Sequence, residues 1–442
     1  MRSIKLFFIL FSIIILTTCT DRKQQPLNQL EFKMNEIAEN YIKLVLEIGL
    51  YKDDYIDAYY GPEKFKPKSS DIQEIDSVVI NSFNSRTDEL LNDLEALKDY
   101  QATEVEVSRF RFLSKQLLSV KGIIFQISGG EFQFDQEARI LYDAEPPKLS
   151  NDHFEIIISK LDSLLPGDGK VSERITQFRD KFIIPVNKLD TVFNAAINEC
   201  RKRTLQHLQL PQNENFNVEY VKNKSWGGYN WYKGNSYSLI QVNTDLPIYI
   251  DRAIDLAAHE GYPGHHVYNT LLENILVNKR GWVEYSVYPL FSPISLIAEG
   301  TANYGIDVAF PGNDRIEFEK EVLFPLAGLD AKDADLYYEV LGLTEKLTYA
   351  GNEAARNYLD GVWAREEAIQ YLQDYNLFSK EKAEKRMDFI IQYRSYVINY
   401  NYGKDLVKNY IESNDGTADN PEKRWELFQH LLSSPQTPSD LK

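Results

Sequence analysis

Three histidines and a glutamate lie within eight residues in the stretch AAHEGYPGHHVY (residues 257–268): His259, Glu260, His265 and His266. The chain has six histidines, so half of them are gathered here. Imidazole nitrogens bind divalent transition ions, and a neighbouring carboxylate can take a proton from a water that such an ion activates. Hydrolysis of this kind needs three protein ligands, an open position for water and that base. The usual helical arrangement is His-Glu-x-x-His, because positions i and i+4 share a face. Here the second histidine comes two residues late. On a regular helix six residues advance about 9 Å and turn to another face, so His259 and His265 could not share an ion. Pro263 argues against a regular helix, since it has no N–H and its ring would clash with the carbonyl four residues back. Gly261 and Gly264 add backbone freedom on both sides. The expected geometry is a helix carrying His259 and Glu260, an outward loop through Gly-Tyr-Pro-Gly, and a helix resuming at His265. With two residues looped out, His265 takes the place of an i+4 histidine. His266 then turns elsewhere, toward substrate or the surroundings of the ligands. The choice of His265 over His266 rests on this register.

A third ligand is expected from a following helix. LIAEGTANYGIDVAF (residues 296–310) offers Glu299 among apolar and small residues. Ala298, Gly300 and Ala302 would let that helix approach closely. Asn303 and Asp307 lie one and two turns along from Glu299 and are candidates for supporting contacts around the ligands.

HEGYPGHH followed by AEGTANYG resembles the bacterial family called domain of unknown function 885, which is grouped with the gluzincin zinc metallopeptidases. Its marker, His-Glu-x-x-Pro-Gly-His-His with a downstream Ala-Glu-Gly-x-x-x-Tyr, is matched by His259, Glu260, Pro263, Gly264, His265, His266, Ala298, Glu299, Gly300 and Tyr304. Dipeptidyl peptidase III similarly carries an insertion in its zinc motif. The resemblance covers residues 216–403 and implies Zn²⁺ on His259, His265 and Glu299, with Glu260 as general base. It also implies a late Tyr-x-x-Gly element, here Tyr400 and Gly403. The family's Pro-Gly just upstream is missing, and the chain reads YRSYVINY instead. A tyrosine hydroxyl suits an oxyanion; Tyr400 is the first choice, with Tyr396 and Tyr402 as alternatives and plain packing as the ordinary fate of a tyrosine. Arg394 could hold a substrate carboxylate bidentately, although pairing at the surface is the commoner use of an arginine.

The elements that must carry these residues are mostly helical. Apolar residues recur at spacings of three and four over 30–50, 74–99, 105–127, 247–260, 264–277, 292–309, 333–373 and 380–413. Between them, FNVEYVKNKSWGGYNWYKGNSYSLIQVNTD (residues 216–245) is rich in Tyr, Val, Trp and Asn, and SYSLIQVN alternates as a strand does. A small antiparallel β element therefore precedes the metal-binding helix. Its strand near 236–243 could align a substrate backbone, and SWGGYNWY could offer an edge to an extended peptide. The fold class expected is mainly α (α+β), a multi-helix arrangement that the resemblance makes zincin-like. A helical N-terminal region (30–210) and a catalytic region (211–442) are the expected divisions.

The N-terminus reads differently. Arg2 and Lys5 precede an apolar run, LFFILFSIIIL (residues 6–16), then LTTC ending in Cys19. This has the pattern of a signal peptide over 1–18 and is too short for a comfortable bilayer span. It resembles a lipoprotein box, with Thr18 where Gly or Ala is usual, and so implies a lipid on Cys19 and a tether over 19–29; a plain secretory signal is the alternative. Export and anchoring on the periplasmic or cell-surface side follow. Only Cys19 and Cys200 are present, which excludes a disulfide framework and a cysteine metal site. The net charge of −17 excludes a nucleic-acid partner that needs a basic face. The expected activity is a zinc metallohydrolase, foremost a peptidase, acting on a peptide or small amide. The alternatives are an amidase or esterase using the same residues, and an inactive lipoprotein that keeps the metal as a staple.

Overall fold

The apolar spacings become helices along most of the chain. The computed structural model describes residues 29–68, 75–99, 102–224 and 226–442. The expected signal segment, Cys19 and the tether up to residue 28 lie outside the described residues. Helix α1 (Gln29–Ile48) buries one stripe through Leu30, Met34, Ile37, Tyr41 and Val45, the spacing that places apolar side chains on a single face. Helix α2 (Ser77–Glu95) starts where the Asp76 carboxylate accepts from the backbone N–H groups of Val78 and Val79, two donors that have no partner inside the helix. Helix α3 (Glu104–Ile127) opens with a Thr103/Glu106 capping box. The helices α4 (Phe134–Tyr142), α5 (Asn151–Leu164), α6 (Val171–Arg179) and α7 (Leu189–Leu205) complete the N-terminal half.

Two small sheets interrupt the helices. Strand β1 (Ile56–Tyr59) pairs antiparallel with β5 (Val287–Pro289). Strands β2 (Asn215–Val221), β3 (Gly228–Tyr232) and β4 (Tyr237–Asn243) form a second sheet in the order β2-β4-β3. This sheet is mixed rather than purely antiparallel, because β4 runs parallel to β2 and antiparallel to β3. The hairpin between β3 and β4 closes through Gly234, Asn235 and Ser236, all at positive φ. Glu273 locks that turn by accepting from the N–H groups of Asn235 and Ser236. The link from β2 to β3 crosses the end of β4, where the Asn243 amide donates to the carbonyls of Lys224 and Trp226. That crossing puts β2 on the far side of β4, and the pairing becomes parallel. Strand 237–243 is therefore the central strand, with its backbone paired on both sides. The two edges belong to β2 and β3, and β3 is the one that lies against Glu260.

The second half is helical again: α8 (Asp251–Leu256), α9 (His265–Leu271), α10 (Pro293–Ala309), α11 (Asp314–Phe318), α12 (Phe324–Ala327), α13 (Ala334–Lys346), α14 (Tyr349–Leu359), α15 (Arg365–Tyr375), α16 (Lys380–Tyr393), α17 (Ile398–Ser413) and α18 (Pro421–Ser433). The architecture is mainly α with a small β element. Helix α10 runs through the middle, and every residue on it except Asn303 and Asp307 is buried. It packs along α17. There Gly300 faces Gly403 so closely that a Cβ on Gly300 would lie 2.5 Å from the Gly403 carbonyl oxygen. Residues before and after 210 share one hydrophobic core. The buried pair Arg109–Glu284, with N–O contacts of 2.5 and 3.0 Å, also joins the two halves. No helix among the described residues is long and apolar enough to cross a membrane.

Candidate metal centre

The backbone around HEGYPGHH departs from a regular helix. Helix α8 continues into a π-helical turn over Ala257–Gly261 that carries His259 and Glu260. The chain breaks at 262–264, and α9 restarts at His265. The Gly264 N–H returns to the Ala258 carbonyl at 2.9 Å. A Cβ on Gly264 would sit 1.9 Å from the His259 carbonyl oxygen, so only glycine allows this close return. The widened turn and the break together bring His265 back over His259.

Three donor atoms converge as a result. His259 Nε2 and His265 Nε2 are 3.1 Å apart, and Glu299 Oε2 lies 3.3 Å from the first and 3.7 Å from the second. Tetrahedral ligands at about 2.05 Å from an ion stand roughly 3.3 Å from one another, so the spacing suits a small divalent cation. The hydrogen bonding agrees. Asn303 Nδ2 donates to the Tyr400 carbonyl at 3.0 Å, which leaves Asn303 Oδ1 facing His259 Nδ1 at 3.0 Å. An acceptor there requires the proton on Nδ1 and turns the lone pair of Nε2 toward the centre. Glu299 Oε1 accepts from the Tyr396 hydroxyl at 2.8 Å, while Oε2 is buried without a hydrogen bond. A buried carboxylate oxygen without a hydrogen bond beside two ring nitrogens is a donor set that could hold a cation.

Charge tells the same story. Burial alone would lower the His265 pKa, but the Glu299 carboxylate outweighs it and lifts the imidazole to about 9. Burial opposes ionisation of Glu299, yet His259 and His265 hold its carboxyl far below the usual range. The pocket stabilises positive charge at its centre.

Glu260 is buried beside the donors, with its side chain against Gly228 of edge strand β3; a Cβ there would lie 3.0 Å from Glu260 Oε1. Asn230 of the same strand donates to the Glu260 carbonyl at 2.7 Å. Among the described residues no hydrogen bond occupies the Glu260 carboxylate, as a proton acceptor requires. The Tyr400 phenol lies close enough to Glu299 and Glu260 for their charges, after burial, to raise its pKa well above the ordinary value. Tyr402 sits farther along α17, near Glu145 and Asp405.

Other candidates are engaged elsewhere. His266 is fully buried, with Nδ1 2.9 Å from Ser238 Oγ and Nε2 3.1 Å from Glu214 Oε2. Asp307 pairs with Lys404 at 3.1 Å. Arg394 gives Nε to Glu137 at 2.6 Å and Nη2 to the Phe132 carbonyl at 3.2 Å. One residue near the centre carries no sequence signal. Asp57 of β1 accepts from the Tyr229 hydroxyl of β3. Burial pushes Asp57 up to about 7, against the opposing charge of His265. Only the pairing of β1 with β5 brings Asp57 there, so no local pattern could reveal it. Cys200 is buried, His207 stacks on Trp425, His153 meets Phe154 edge-on and His430 contacts Ser434.

No protein-family model matches the chain, and no curated protein matches it. Solved structures do. A candidate lipoprotein from Colwellia psychrerythraea is similar with a TM-score of 0.50 and 17% identity over 82% of this chain and 67% of that one. A candidate lipoprotein of unknown function from Shewanella oneidensis gives 0.42 and 15% over 80% and 72%. An M32 carboxypeptidase from Deinococcus radiodurans R1 gives 0.37 and 12% over 93% of each chain. The likeness to the Colwellia protein is one of fold, and identities this low transfer no residue roles.

Proposed function

We propose that this chain is a zinc-dependent peptidase in which His259, His265 and Glu299 hold the metal and Glu260 is the general base. The observation that carries the proposal is the convergence of two imidazole nitrogens and a bare carboxylate oxygen within 3.7 Å, beside a second carboxylate with no hydrogen bond of its own. Mixed nitrogen and oxygen donors in a tetrahedral spacing favour zinc over calcium or magnesium, which prefer all-oxygen sites. The resemblance of the motif residues to the domain of unknown function 885 points the same way.

When bound, zinc supplies Lewis acidity to a water and to the substrate carbonyl. Glu260 takes the proton of the attacking water and passes it to the leaving nitrogen, so the carboxylate ends each cycle as it began. Tyr400 donates its hydroxyl to the oxyanion that develops on the carbonyl. Asn303 and Tyr396 orient His259 and Glu299 through the contacts given above. The edge strand β3, rather than β4, takes an extended substrate backbone by strand pairing. The apolar run before Cys19, with the fold likeness to a candidate lipoprotein, supports a lipid anchor on Cys19 and export. Mass spectrometry of the mature N-terminus tests this; an unmodified Cys19 would remove it.

The deciding experiment combines metal analysis with Glu260→Gln. One equivalent of zinc is expected in both proteins, and turnover of a peptide panel should fall by about 10²- to 10⁴-fold in the variant. Less than half an equivalent in the wild type ends the proposal. Turnover of simple amides or esters but not peptides turns it into an amidase or esterase. Full function in Glu260→Gln leaves only a structural metal.

A further inference from the structure

Away from the metal centre, buried carboxylates meet a cation or several donors. Glu284, Glu137 and Glu319 pair with Arg109, Arg394 and Arg315. Glu273 accepts from the Tyr232 hydroxyl and from two backbone N–H groups. Asp57 of β1 is answered less. Among the described residues it has no ion pair, and the Tyr229 hydroxyl is the one donor it meets. The residue is partly buried and partly open, so a group from solvent can reach it. A carboxylate drawn out of water without a cation is costly.

Contacts on two sides tie Asp57 to the metal centre. In the pairing of β1 with β5, Ile56 lies opposite Pro289 and Ala58 opposite Tyr288, so Asp57 is the extra residue of a bulge. A bulge frees a side chain from the alternation of its strand, and Asp57 meets Tyr229 of β3. The residues flanking Tyr229 reach the base: a Cβ on Gly228 would lie 3.0 Å from Glu260 Oε1, and the Asn230 amide donates to the Glu260 carbonyl at 2.7 Å. On the other side, Ser292 and Ser295 at the start of α10 donate to the Pro289 carbonyl of β5 at 2.7 and 3.4 Å. Glu299 follows Ser295 by one turn of α10. The charges agree with these contacts. Burial raises the Asp57 carboxyl, His265 opposes it, and Glu299 and Glu260 add to it. Among the described residues no second group of three metal donors gathers, so the cation that suits this acid is organic.

We propose that Asp57 is a specificity-determining residue that takes the α-ammonium of a short peptide whose first peptide bond lies at the metal centre. This rests on the peptidase reading and deepens it, since it makes the enzyme an aminopeptidase. The α-ammonium and the first carbonyl belong to one substrate residue, which matches an acid joined to Glu260 through adjacent residues of one strand. An ammonium offers three donors, and a carboxylate that spends one lone pair on Tyr229 has others to receive them. The missing cation is thus supplied by the substrate.

Binding tests the subsite without catalysis. Trialanine amide and its N-acetylated form are titrated by calorimetry into full-length Glu260→Gln protein, in which Glu260 no longer offers a charge to an amine. The free amine is expected to bind about 10- to 100-fold more tightly than the acetylated peptide. Adding Asp57→Asn should abolish the difference, and Asp57→Glu should restore it only in part. The asparagine still offers an oxygen to Tyr229, so the lost preference reports the charge and not the hydrogen bond. Asp57→Asn should melt level with its parent or higher, because a partly buried charge is removed; a fall would mark the carboxylate as structural and overturn the proposal. Equal affinity for the two peptides in the parent overturns it too. So does an equal loss in Asp54→Asn, which would assign the preference to the general field of the segment. An acetylated peptide with a lysine side chain that binds as well as the free amine also overturns it, since the ligand would then be a side chain. Amine preference without turnover of any peptide by the wild type would keep the subsite and refute the peptidase reading. Turnover without amine preference would do the reverse.

Discussion

Two neighbouring histidines, each beside a glutamate, do opposite things. Around His266 every polar atom is answered: Ser238 meets Nδ1, Glu214 meets Nε2, and Glu214 also accepts from the Tyr262 hydroxyl at 2.6 Å and from Arg201 at 2.5 Å. Burial opposes ionisation of Glu214, but His266, Tyr262 and Arg201 lower its pKa nonetheless. Around His265 the arrangement is different. Its Nε2 faces another Nε2 and a bare carboxylate oxygen. The first pair is a closed hydrogen-bond network that ties α9 to the sheet. The second gathers two imidazoles and a carboxylate at a spacing that suits a cation. What separates the candidate metal ligand from the structural histidine here is the balance of donors and acceptors around a partly buried ring and a fully buried one.

The sharpest way to break this comparison is to remove each ring in turn. His265→Ala should lose its zinc, from one equivalent to near none by metal analysis, while melting as a folded protein. His266→Ala should keep its zinc and lose roughly 1–3 kcal/mol of stability in denaturant unfolding, because the buried Ser238 hydroxyl loses its partner and Glu214 keeps only Tyr262 and Arg201. The reverse pattern would exchange the two roles. Asn303→Ala should weaken zinc binding by roughly 10- to 100-fold in a chelator competition, because His259 loses the acceptor that sets its tautomer. An unchanged affinity would take Asn303 out of the site. The smallest effect is that of pH. With His265 raised to about 9 in the metal-free protein, zinc must displace that proton. Affinity should therefore climb about tenfold per pH unit up to about 9 and then level off. In the metal-free protein the sign is opposite. The raised pKa adds stability that is complete below about pH 6.5 and is lost as pH rises through about 9. Chelated wild type should show that loss, and chelated His265→Ala should not.

Much of the centre was legible because helices obey short rules. His259, Glu260 and His265 stand in one motif whose Pro-Gly break explains its spacing. Glu299 and Asn303 follow each other by one turn on a helix that is otherwise apolar or small. Asp307 obeys the same rule, but two turns along it is already paired with Lys404. Arg394 shows another limit: nothing near it in sequence announces Glu137, which arrives from α4. The β element was legible as strands but not as a mixed sheet, because strand order depends on where Asn243 holds the crossing loop.

The sequence by itself determined the helical periodicity, the place where the helix carrying His259 must break, and the candidate donors on either side of the break. These depend on residues a few positions apart, where sterics and spacing act locally. The tertiary structure decided which histidine faces the donors and which strand offers an edge. It also decided that β1 brings Asp57 toward the centre. Each of those is a balance of charge or hydrogen bonds between separate segments of the chain. That balance exists only once the segments are packed, because burial is what makes an unanswered polar group costly.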